Sequence, residues 1–134
     1  MCEQPTAFGI HKLISAYAMA ETVERLRAAI ISKGVTLFTQ IDHQALAHSQ
    51  QLELPPTQLL IFGHPKLGTV LMNSAISTGL DLPLKVLVTQ ACDDQVWVYF
   101  NQPDYLQLRH GLAAELLVPV QALQQALADS INAI

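Results

Sequence analysis

The sequence predicts an α+β fold: a two-layer domain in which a mixed, mainly antiparallel sheet of about five strands carries helices on one face. Three observations lead there. Short segments rich in β-branched and aromatic residues alternate with segments whose apolar residues recur at helical spacing, in the order β-α-β-α-β-α-β-β-α. Two alternating segments, LPLKVLVTQ and QVWVYFN, are joined by Ala91-Cys92-Asp93-Asp94, which reads as a hairpin and excludes a purely parallel sheet. No polar linker, repeat or low-complexity stretch interrupts the 134 residues, so residues 1–134 form a single domain.

Each element has its own signal. The stretch from about Phe8 to Tyr17 reads as a first strand with weak alternation. AETVERLRAAIISKG is a helix, with Val23, Leu26, Ala29 and Ile30 on one face, Glu21 and Glu24 in its first turn and Gly34 as its cap. VTLFTQI is a strand ending at Asp42, whose carboxylate suits the start of a second helix, DHQALAHSQQL. Leu54-Pro55-Pro56 must be extended, and TQLLIFG after it is a short apolar run typical of a central strand. A helix-like stretch, GTVLMNSAIS, follows the break at Gly63-His64-Pro65. After the hairpin, PDYLQLRHG is a short helix with Pro103 at its start, Asn101 or Gln102 as cap and Gly111 as stop. A last helix starts near Pro119 with Val120, Leu123, Leu127 and Ile131 on one face.

Composition limits the function classes. Hydrophobic residues make up 51% of the chain and charged residues only 13%, against about 25% charged in ordinary soluble domains. A surface so poor in charge, with helices on one side of the sheet only, points to a homodimer that covers the other side. The net charge of −4 and the scattered placing of seven Lys and Arg residues remove the electrostatic drive for nucleic acid. The start lacks a cationic segment followed by a long apolar one, and no run approaches the roughly 18 apolar residues of a membrane span, so export and membrane insertion are not expected. Cys2 and Cys92 are too few for a disulfide framework and lack zinc spacing, so a reducing cytoplasm is expected.

The candidate chemistry centres on LLIFGHPKLGTV. Gly63 and Gly68 have the spacing of a nucleotide loop, but Thr69 stands where the lysine belongs and Pro65 removes an N–H donor. The remaining reading is a strand-to-helix break whose exposed amides could hold a small anionic group. Lys85, between Leu84 and Val86 on a strand, could add a cation to it. The predicted ligand-binding residues are therefore Gly63, His64, Pro65, Gly68 and Lys85. His43 and His48, five positions apart on one helix, lie about 140° apart around its axis, and His64 and His110 fall in separate elements, so no metal is expected, nor any cofactor. Cys92 beside Asp93 and Asp94 makes a poor thiolate. No GxSxG elbow occurs, and the serines lie in helices or turns without a histidine at a telling distance. Trp97 and Tyr99 form either a dimer face or a ligand wall, with the dimer face preferred.

The blocks AETVERLRAAIISKGVTLFTQIDHQALA, LELPPTQLLIFGHPKLGTVLM, LDLPLKVLV and VWVYFNQPDYLQLRHGL resemble, in order, those of the bacterial and archaeal family called domain of unknown function 302. The resemblance runs from about Ser15 to Leu112 and implies a compact two-layer α+β domain that forms homodimers, with no established reaction, substrate or cofactor. The positions matching the family's characteristic residues are Asp42, Pro55, Pro56, Gly63, Pro65, Leu82, Pro83, Lys85 and Tyr105. The family commonly has asparagine between the glycine and proline, so His64 is a departure. Three readings stay open: a homodimeric module that binds a small anionic ligand or a partner, an enzyme using Lys85, His64 or Asp42 as acid or base, and a purely structural dimerisation module.

Overall fold

The computed structural model describes residues 7–132. Five strands, β1 (Ile10–Ile14), β2 (Thr36–Asp42), β3 (Thr57–Gly63), β4 (Leu84–Gln90) and β5 (Val96–Asn101), form one sheet in the order β1-β5-β4-β3-β2. Every neighbouring pair is antiparallel, so the parallel pairing that a mixed sheet would contain is not found. The helical connections between β2 and β3 and between β3 and β4 return the chain to an adjacent antiparallel strand. Only α1 (Met19–Ser32) crosses the sheet, carrying the chain from the β1 edge to the β2 edge.

Period-two alternation divides the two faces. Leu60, Phe62, Leu84, Val86, Val88, Val96, Val98 and Phe100 are buried on the inner face. There they join Val23, Leu26 and Ile30 of α1 and Val120, Leu123 and Leu127 of α5 (Val118–Ser130) in one apolar core. Near the β2 edge the inner layer turns polar: Arg27 donates to Gln40 at 2.7 Å, and Gln40 donates in turn to Gln58. The outer face carries Ile41, Leu59, Ile61, Leu87, Trp97 and Tyr99, all half-buried. Lys12 lies over the Trp97 ring there, its Nζ 4.3 Å from the ring centroid.

Local rules explain where the elements stop. Gly34 has φ 70°, and its N–H and that of Val35 return to the carbonyls of Ile31 and Ile30, a paired cap that a left-handed residue permits. The second helix, α2 (His43–His48), is shorter than its sequence pattern. It begins with Asp42 accepting the Ala45 N–H at 2.9 Å, and Gln51 at φ 57° turns the chain out of it. The third, α3 (Pro65–Ser74), starts three residues earlier than expected, because Pro65 opens the helix instead of breaking the chain. It also ends sooner, giving way to a 3-10 turn over Ile76–Leu80. The fourth, α4 (Pro103–His110), stops at Gly111, whose φ of 67° lets the Leu112 N–H return to the Gln107 carbonyl. A second 3-10 turn, Ala114–Leu117, leads into α5.

Candidate functional site

The stretch from Gly63 to Gly68 is where β3 hands over to α3. His64 is the N-cap of that helix: its Nδ1 accepts the Lys66 N–H at 3.1 Å, and its carbonyl accepts the Gly68 N–H at 3.0 Å. An imidazole nitrogen here does what an asparagine oxygen does at a helix start, which accounts for histidine at a position where the related family commonly has asparagine. Because Pro65 has no N–H and the Lys66 N–H is taken, few donors are left for an anion at the backbone itself.

Two hollows flank this turn. One, about 330 Å³, is bounded by Gly63, His64, Pro65 and Gly68 on one side and by Phe38, Met72, Leu82 and Pro83 on the other. The second, about 550 Å³, lies between the end of α1, α3 and α5. Its walls are the apolar Val35, Leu67, Val70, Leu116 and Leu123, with Lys33, Lys66 and Glu115 as the charged residues. His64 and Leu67 belong to both walls. Four of the five predicted ligand residues thus border one hollow.

Lys85 does not line either of these. It projects from the outer sheet face beside Leu59, Leu87 and Tyr99, in a hollow of about 200 Å³. Its ammonium donates to the carbonyls of Asp81 at 3.2 Å and Pro83 at 2.9 Å. The cations beside the turn are Lys66 and Lys33 instead, which the sequence left unremarked because both fall at exposed helix ends. Nor are Asp42 and His64 brought together: Asp42 pairs with Gln58 and Thr36 with Gly63, at opposite ends of the same ladder. At about 3.4 Å per residue that separation is roughly 20 Å, beyond any shared proton transfer.

Cys92, at the β4–β5 turn, is disulfide-bonded and offers no thiol. That bond withdraws the support cysteine usage lent to a reducing compartment; Cys2 lies outside the described residues. The turn itself is as the sequence predicts, closed by the Ala91 N–H to the Gln95 carbonyl with Asp94 at φ 66°.

One group of side chains has no counterpart in the sequence reading. Asp81, just after the first 3-10 turn, accepts from Arg109 Nη1 at 3.1 and 3.2 Å and lies 2.5 Å from His110 Nε2. The other ring nitrogen of His110 is 2.7 Å from Ser77 Oγ. A serine with a histidine at contact distance therefore exists, although the two stand 33 positions apart in sequence. The packing of α4 against the 3-10 turn at Ile76–Leu80 brings them together.

The comparisons agree with this fold. The chain shares 41% identity over 115 residues with proteins named fluoride-specific ion channel FluC 1 from Brucella suis biovar 1 (strain 1330) and FluC 2 from Brucella melitensis biotype 1. That match covers 86% of this chain but only 45% and 43% of those relatives, so the chain spans less than half their length. No helix among the described residues is long and apolar enough to cross a membrane. A crystal structure of an uncharacterized conserved DUF302 protein from Bacillus stearothermophilus superposes with a TM-score of 0.83, at 20% identity, over 94% of this chain and 100% of that one. The model of the family described as domain of unknown function DUF302 matches residues 11–134, and the chain belongs to that family.

Proposed function

We propose that this domain binds a small ligand with an anionic group and an apolar body in the 550 Å³ hollow between the end of α1, α3 and α5, and works as a homodimer joined through its outer sheet face. The observation that carries the ligand reading is the composition of the 550 Å³ wall: mainly aliphatic side chains, with two ammonium groups, Lys33 and Lys66, and His64 against a single carboxylate, Glu115. Sites for small molecules are commonly concave and mostly apolar, with a few polar groups that fix orientation. The α3 backbone contributes less than the sequence suggested, so the ammonium groups take the anion and the aliphatic wall takes the rest. The dimer reading is supported by the half-buried apolar outer face, which a second copy would cover.

The test is a thermal-shift and calorimetry panel of short aliphatic carboxylates and phosphate monoesters against the parent chain and a Lys33→Ala, Lys66→Ala double variant. A ligand at one hundred times its Kd stabilises by about 2.7 kcal/mol, which is several degrees in Tm. The double variant should lose most of that shift. If no compound moves the parent, or if the double variant responds as the parent does, the cavity reading fails.

A second reading rests on the relatives. They carry channel names, and their matching part is less than half of each. In such proteins a domain of this kind would serve as an accessory unit, and its ligand would act on the remainder. Fluoride conductance through the full-length relatives, measured with and without this domain, tests it: equal conductance and equal ligand response would remove the reading.

A further inference from the structure

We propose that Ser77, His110 and Asp81 form a second site, independent of the cavity beside His64, in which Ser77 is a nucleophile that takes up the acyl group of a small carboxylic ester. The three side chains are joined through the two ring nitrogens: Ser77 Oγ is 2.7 Å from His110 Nδ1, and His110 Nε2 is 2.5 Å from Asp81 Oδ2. The Asp81 carboxylate can only accept, so the imidazole carries its proton on Nε2 and keeps the Nδ1 lone pair for the serine hydroxyl. This reverses which ring nitrogen faces the serine in the familiar triad. The chemistry needs only that one nitrogen be held protonated while the other takes a proton.

Burial grades the three groups as such a site requires. The His110 side chain is 2% exposed and that of Asp81 15%, whereas Ser77 is exposed on its 3-10 turn. Arg109 binds both Asp81 oxygens, and Asp81 in turn holds the ring. Asp81 is thus a positioning residue, while Ser77 and His110 handle the reacting atoms. The fold does not need this bond to satisfy Ser77, because water could reach an exposed hydroxyl. Beside the cluster in sequence stand Ile76, Leu80 and Leu108, which are 80%, 75% and 74% exposed. An apolar acyl group would cover this kind of surface.

In the step proposed, Ser77 Oγ bonds to the ester carbonyl carbon and its proton passes to His110 Nδ1. The carbon–oxygen bond to the leaving alcohol then breaks, and the alcohol departs with that proton. Water repeats the exchange on the acyl-serine, releasing the carboxylic acid and restoring the Ser77 hydroxyl.

The experiment uses the full chain with a fluorophosphonate probe, which forms a serine Oγ–phosphorus bond as fluoride leaves, followed by intact mass and peptide mapping. The expected result is one label on Ser77. Ser77→Ala should carry none, His110→Gln should label at least a hundredfold more slowly, and Ser74→Ala should label as the parent does. Asp81→Asn should slow labelling about tenfold or more, with Asp81→Glu recovering part of it, a rescue that loss of packing alone would not give. Should His110→Gln not fold, hydrolysis of p-nitrophenyl acetate by parent against Ser77→Ala decides, since that change removes one exposed hydroxyl. No label on Ser77, labelling as fast in folded His110→Gln, or equal ester hydrolysis with and without the hydroxyl overturns the proposal.

Discussion

At the scale of single residues, His64 shows how one side chain can carry two duties. Its Nδ1 caps α3 while its ring forms part of two hollows. His64→Ala should lower stability by about 1 kcal/mol, in the range usual for a lost N-cap, and His64→Asn should recover most of it. Denaturant titration of the three proteins measures both. Thr78 gives the opposite case. It is fully buried, and its Oγ1 has no hydrogen-bond partner among the described residues. Burying an unsatisfied hydroxyl costs about 1–3 kcal/mol, so Thr78→Val should leave stability unchanged or raise it by about 1 kcal/mol. A clear loss in the same titration would mean that the hydroxyl is satisfied in solution. At this scale the sequence was readable where chemistry is local: the Asp42 cap, the Gly34 and Gly111 stops and the failed nucleotide loop all depend on neighbours within a few positions. The Ser77–His110–Asp81 cluster was not, because its partners converge from distant parts of the chain and neither residue type nor spacing signals it.

At the scale of elements, the pattern of apolar residues located all five strands and the long helices, since periodicity records which face is buried. Its errors fall at helix ends. A proline can open a helix as well as break one, and the sequence pattern alone does not say which Pro65 does, so the start of α3 lies three residues ahead of the pattern. The 3-10 turn at Ile76–Leu80 overlaps the end of the predicted helical stretch because its first residues fit either geometry. The α1 stop shows how strictly an end can be specified. Gly34 is left-handed, and a side chain there would meet open space. Gly34→Ala should therefore cost only the backbone penalty, about 1–2 kcal/mol, with helix content by circular dichroism retained. A much larger loss would show that the α1–β2 junction is held by contacts besides the cap.

For the whole molecule, the α+β class followed from the order of elements, but the antiparallel pairing throughout did not, because periodicity carries no strand direction. The uncovered face follows from alternation along the strands, and Leu87 lies on central strand β4 within it. If two copies meet there, native mass spectrometry of the parent shows a dimer, and Leu87→Glu shifts it to a monomer; Leu87 is half-buried in the single chain, so the carboxylate also lowers stability by about 1 kcal/mol, and circular dichroism checks that the variant is still folded. A parent that is monomeric at micromolar concentration removes the dimer. Lys85, on the same face, would then belong to the joint between subunits. His64, finally, lines both hollows, as Leu67 does. Asparagine is the smaller side chain, so His64→Asn should connect them while keeping the cap. The longest aliphatic carboxylate that stabilises the protein should then be longer in that variant than in the parent, making residue 64 a ruler for ligand length.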